Sequence, residues 1–119
     1  MKVFLLEYFL SQNIDNNQSK NFYIEAKNIL SSLIKSFNKI SGLRLRTIIN
    51  NDFSSEFRQF NSKNIDILNP NFKNKWEYYS YLEDLNLSDF DYYLIIAPEI
   101  DQILSKITEI MENKNAKNL

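Results

Sequence analysis

The chain has no cysteine, no histidine and a single glycine in 119 residues. Without cysteine there is no disulfide framework and no thiolate metal site. Without histidine the commonest general base and the commonest metal ligand are both missing. Any metal held here would need carboxylate oxygens, which suit Mg²⁺ better than Zn²⁺. One glycine cannot build the G-x-G-x-x-G turn of a dinucleotide site or a Walker-type phosphate loop, so no self-sufficient nucleotide site is expected. Charge of one sign is also lacking: 14 basic residues face 15 acidic ones, a net charge of −1. That gives no electrostatic case for nucleic acid or an anionic membrane as partner. No run approaches the roughly 20 apolar residues of a membrane span. The short apolar start carries Glu7 and lacks the charged region and cleavage site of a signal peptide. A cytoplasmic protein is expected.

What is present is an ordinary globular composition, 44% apolar and 24% charged, on a chain long enough for one core. Residues 2–9, KVFLLEYF, form an apolar run suited to a strand buried on both faces. Residues 11–20 are polar and read as a loop, with Ser19 as N-cap of the next helix. Phe22, Ala26, Ile29, Leu30, Leu33, Ile34 and Phe37 recur at helical steps and predict one buried face. Gly42 follows, where a left-handed helix cap would place it. Residues 43–49 read as a second strand with Leu43, Leu45, Thr47 and Ile49 on one side. Phe53, Phe57 and Phe60 line one side of a short helix, as core or as an interface patch. Residues 65–68 make a third strand. Residues 76–85 have helical spacing, with Trp76, Tyr79, Leu82 and Leu85 as inner face. Residues 92–97, YYLIIA, are a second fully apolar strand that Pro98 stops. Ile100, Ile103, Leu104, Ile107, Ile110 and Met111 mark a last helix, and the polar tail 113–119 is expected to fray.

Alternating strands and helices predict an α/β, Rossmann-like three-layer sandwich: a mostly parallel sheet of about four strands with helices on both faces. Ligands of such sheets bind beyond the carboxyl ends of the strands, where the strand order reverses. If the two apolar strands are neighbours, Tyr8, Ser11, Gln12 and Asn13 share a crevice with Pro98, Glu99 and Asp101. Glu99 and Asp101 open the last helix, where its dipole favours negative charge. The functional alternative is that Glu99 recognises an amine or orients a neighbouring domain. Glu7 faces the same choice; a buried carboxylate needs a partner, and a position near the exposed end of its strand is expected. The aromatic group Trp76, Tyr78, Tyr79 and Tyr81 lacks the basic groove of a base-stacking surface, so helix packing is the expectation there.

Three stretches resemble one family. They are MKVFLLEYF at the start, AKNILSSLIKSFNKISGL over 26–43, and YYLIIAPEIDQILSKIT over 92–108. They are similar to the N-terminal, pre-ATP-grasp domain of ATP-grasp carboxylate–amine ligases. In that family the first strand ends in Glu-Tyr, here Glu7 and Tyr8. The last strand runs into Ala-Pro-Glu and a helix with Ile-Leu, here Ala97, Pro98, Glu99, Ile103 and Leu104. The chain departs from the pattern twice. Of the usual Ser-Gly-Gly-like loop after the first strand only Ser11 fits, and Gln102 stands where a glycine commonly precedes Ile-Leu.

The resemblance implies an ATP-dependent joining of a carboxylate to an amine through an acyl-phosphate. In the branch it resembles most, archaeal and serving methanofuran biosynthesis, these are glutamate and tyramine. ATP and Mg²⁺ are implied for the complete ligase, clamped between central and C-terminal domains, and none is expected to be bound by this chain alone. The partners implied are those two domains, in the same or a separate chain. Residues 1–112 would be the domain and 113–119 a tail or the start of the connection to a following one. No catalytic residue and no metal ligand is assigned. Tyr8, Ser11, Glu99 and Asp101 are the candidate substrate-binding residues, as a wall of the site. The alternative is a free-standing, non-catalytic binding or interaction domain, a homodimer through the Phe53, Phe57 and Phe60 region.

Overall fold

A computed structural model of the chain describes residues 1–13 and 20–119. Five strands form one sheet in the order β3-β2-β1-β4-β5, every neighbouring pair parallel. They are β1 (Lys2–Glu7), β2 (Arg44–Ile48), β3 (Ile65–Leu68), β4 (Tyr92–Ile96) and β5 (Lys117–Asn118). The helices are α1 (Tyr8–Ser11), α2 (Lys20–Asn38), α3 (Ser54–Phe57), α4 (Lys75–Asp84) and α5 (Ile103–Glu112). The α/β expectation holds, with five strands where about four were expected.

The central strand explains the layering. Successive residues of a strand point to opposite faces, and β1 is apolar on both. Val3 and Leu5 pack with Ala26, Leu30 and Ile34 of α2 and with Phe57 of α3. Phe4 and Leu6 pack on the other face with Tyr78 and Leu82 of α4 and Ile103, Ile107 and Met111 of α5. A strand between two such layers must be apolar throughout, which is why KVFLL carries no alternation.

Several boundaries differ from the sequence expectation. The first strand stops at Glu7, and Tyr8 opens the one-turn α1. Gly42 lies four residues past the end of α2, at φ +78°. It occupies the third position of a turn closed by Leu43 N–H donating to Ile40 O, where a type II turn demands positive φ; it serves that turn rather than capping the helix. Phe22 is 49% exposed, so the buried stripe of α2 is narrower than its spacing suggests. Ser19 falls outside the described residues. Phe53 and Phe60 pack in part against the core and Phe57 is fully buried, held by α3 and the 3-10 turns Asn51–Phe53 and Arg58–Phe60 on either side of it.

The tail is tied down rather than frayed. Ala116 is buried, Lys117 N–H donates to Asp91 O, and Leu119 N–H donates to Tyr93 O. The Lys114 ammonium donates to the carbonyls of Glu83, in the last turn of α4, and of Leu85, just past its end.

Candidate functional site

β1 and β4 are direct neighbours, and Glu7 lies opposite Ile96. Both strands therefore leave the sheet at the same level. The chain runs outward from β1 to β2 and β3 on one side and to β4 and β5 on the other, so the reversal of strand order falls at this pair. It is the place where open parallel sheets bind ligands.

What stands there is partly buried and partly exposed. Glu7 is only 3% exposed, contrary to the expectation that it sits near an open strand end. Its Oε1 accepts the Leu10 N–H at 2.8 Å and caps α1. Burial pushes its carboxyl up from 4.5 to about 7, while the Leu10 and Phe9 N–H groups pull it part of the way back. Among the described residues no Lys or Arg pairs with it. Tyr8 is buried with its ring edge-on to Phe9 and Tyr78. Ser11 is buried too; its Oγ donates to Tyr8 O at 3.0 Å and lies 2.7 Å from the Tyr78 hydroxyl. A serine hydroxyl has one proton to give, so Tyr78 is the donor between them. Burial keeps the Tyr78 phenol protonated by pushing its pKa up. Asn50 completes this belt: its N–H donates to Leu10 O, its Oδ1 accepts from Asp52 N, and its buried Nδ2 has no partner among the described residues. Gln12, next to Ser11 in sequence, is buried as well.

Glu99 and Asp101 are exposed on the connection from β4 to α5. They open to different clefts. Glu99 lines one of about 590 Å³ along α5 with Glu109 and Glu112. Asp101 lines another of about 340 Å³ between the first turns of α4 and α5. The four candidate residues thus share one edge of the sheet, two inside the core and two on the surface. Sequence reasoning missed Glu7 as a buried group and Asn50 altogether, and it placed Trp76 on the inner face of its helix. Trp76 is 78% exposed, whereas Tyr78, not assigned to the inner face, is fully buried.

Asp101 and Gln102 adopt left-handed backbone, at φ 51° and 59°. This conformation costs a residue with a Cβ about 1 kcal/mol and glycine nothing, so a glycine would occupy the second position without strain. Gln102→Gly is expected to raise stability by about 0.5 kcal/mol, the relief of strain being offset in part by a freer unfolded chain. Thermal unfolding reads this as a higher midpoint; a lower one contradicts it.

The model of the pre ATP-grasp 3 domain matches residues 50–119, which include β3, α4, β4, α5 and β5. The chain belongs to the pre-ATP-grasp 3 domain family. The tyramine–L-glutamate ligase of Methanocaldococcus jannaschii is 30% identical over 118 residues, covering 98% of this chain and 35% of the ligase. The chain spans about a third of the length of that curated relative. No solved structure matches it significantly.

Among the described residues no three Asp or Glu side chains gather into a cation site, and the one glycine serves the turn before β2. Among the described residues no helix is long and apolar enough to cross a membrane.

Proposed function

We infer that this domain is the N-terminal part of an ATP-grasp ligase that joins L-glutamate to an amine of the tyramine type. The observation that carries the reading is the extent of the match: nearly the whole chain aligns with the ligase from M. jannaschii, yet accounts for 35% of it. A stretch of that size is one domain. Activation of the carboxylate as an acyl-phosphate, and the hold on ATP and Mg²⁺, belong to the central and C-terminal domains. The pre-ATP-grasp domain contributes a wall of the substrate site and a docking edge, both at the carboxyl ends of β1 and β4. The reaction is cytoplasmic, where ATP is supplied.

The core position of Phe57, with Phe53 and Phe60 packed beside it, supports this reading over a dimer formed through those rings. Phosphate release tests it. The isolated chain is expected to release none from ATP with glutamate and tyramine. Fused ahead of the remaining two thirds of the M. jannaschii ligase, in place of that enzyme's own first third, it is expected to support release that depends on both substrates. Turnover by the isolated chain, or a folded fusion with none, overturns the reading.

A further inference from the structure

The cleft between α4 and α5 is lined by Tyr79, which packs against the core, and by side chains that the core does not use. Its walls are Lys75, Trp76 and Tyr79 from α4, and Asp101, Gln102 and Lys106 from the start of α5. Both helices begin at the carboxyl edge of the sheet, so the cleft opens at the edge where such folds take ligands. Trp76 is the most exposed large apolar side chain of the described residues, at 78%. An indole on the surface costs free energy through its contact with water unless something covers it.

Both walls are fixed. On one side Asn74 accepts the Glu77 N–H at 3.0 Å, and Glu77 accepts the Lys73 N–H at 2.7 Å, locking the first turn of α4 that carries Trp76. On the other, Asp101 and Gln102 are held in left-handed backbone while Lys106 N–H donates to Gln102 O at 2.9 Å. Left-handed non-glycine residues persist where surrounding structure imposes them, and such strain clusters at ligand sites.

Size and charge select the ligand. About 340 Å³ lies at the small end of the roughly 300–1,000 Å³ of small-molecule pockets, suited to an amino acid and tight for a nucleotide. Two ammonium groups and one carboxylate line it. A cationic amine meets a net positive surface there. An acidic amino acid carries the opposite set, two carboxylates and one ammonium.

We propose that the α4–α5 cleft binds a free α-amino dicarboxylic acid, L-glutamate, with its carboxylates on Lys75 and Lys106, its ammonium on Asp101 and its methylenes against Trp76. The assignment rests on the ligase reading for the identity of the acid, and on the cleft for its place. It makes Trp76, Lys106 and Asp101 specificity-determining residues.

Trp76 is the only tryptophan of the chain, so its fluorescence and its quenching by acrylamide report on this cleft alone. Titrating the chain with L-glutamate is expected to give a saturable change and to shield the indole. L-glutamine and D-glutamate, matched for ionic strength, bind at least about fivefold more weakly. Lys106→Ala and Asp101→Asn each weaken binding by about tenfold or more, with unchanged circular dichroism; asparagine tolerates the left-handed backbone at 101. Lys35→Ala, on α2, leaves it unchanged. No saturable response, an equal response to tyramine, or one that survives both substitutions overturns the proposal. So does a fusion with the ligase remainder in which Trp76 is already shielded without glutamate, since the cleft is then a protein contact. Glutamate-dependent phosphate release by the fusion without a Trp76 response sinks the cleft alone. A Trp76 response without phosphate release sinks the ligase reading alone.

Discussion

Alanine in place of Tyr78 is expected to lower the unfolding free energy by about 4 kcal/mol, the cost of removing a large buried aromatic. Tyr78 is completely buried in the layer between β1, α4 and α5. Its ring meets Tyr8 at 5.8 Å and Phe72 at 5.3 Å, both edge-on, and Tyr79 at 5.7 Å. Its hydroxyl supplies the second hydrogen bond of Ser11 at 2.7 Å. Truncation removes all of these at once and leaves a cavity between a helix and the central strand. Tyr78→Phe keeps the ring and loses only the hydroxyl, at about 1 kcal/mol. Trp76→Ala, two residues earlier on the same helix, should stay within about 0.5 kcal/mol of the parent because the indole is in water. Urea unfolding of the three variants reads the order directly. A costly Trp76→Ala beside a tolerated Tyr78→Ala would mean that α4 is rotated about its axis.

The second large effect is on pH dependence. The Glu7 carboxyl, at about 7 in the folded protein against 4.5 for the ordinary group, holds its proton more tightly when folded than when unfolded. Between those values the native state binds the extra proton, so stability falls as pH rises. The contribution is fully present below about pH 4.5 and is lost as pH rises through about 7. The gap corresponds to about 3 kcal/mol at 1.36 kcal/mol per unit. Glu7→Gln keeps an oxygen for the Leu10 N–H and cannot ionise. Unfolding free energies measured at pH 4.5 and pH 8 should therefore drop by about 3 kcal/mol more in the parent than in the variant. Asp89, which the Lys2 ammonium holds below the usual carboxylate range, acts with opposite sign; it is common to both proteins and cancels. Parallel profiles for parent and variant would show that Glu7 does not carry this load.

The fold was legible because its two inner strands are apolar throughout and the helices between them keep a helical period. The adjacency of β1 and β4 does not follow from the sequence pattern, and the register of Glu7 with Ile96 supplies it. The features missed share a cause: hydrogen bonding and packing decided them where periodicity is silent. Glu7 looked like a carboxylate near a strand end; it is buried because it caps α1, a position in which glutamate is not among the favoured residues. Around α4, aromatics at 76, 78, 79 and 81 fit two helical phases about equally well. The cap at Asn74 and the packing of Tyr78 choose between them. β5 has no apolar pattern at all, since two backbone hydrogen bonds and buried Ala116 hold it. The loop after β4 gave one usable signal, Gln102 where the resemblance leads one to expect a glycine, and Gln102 has left-handed backbone.

The same edge joins these features: the capped Glu7, the strained turn before α5 and the cleft beside Trp76 all lie where β1 and β4 end. The central claim is that this edge faces the rest of the ligase. Amide hydrogen exchange of the isolated chain against the fusion with the remainder of the M. jannaschii enzyme tests it most directly. The account predicts slower exchange in the fusion over residues 7–13 and 97–100, with residues 40–44 and 86–91 at the opposite edge unchanged. Protection confined to those opposite-edge segments would contradict it.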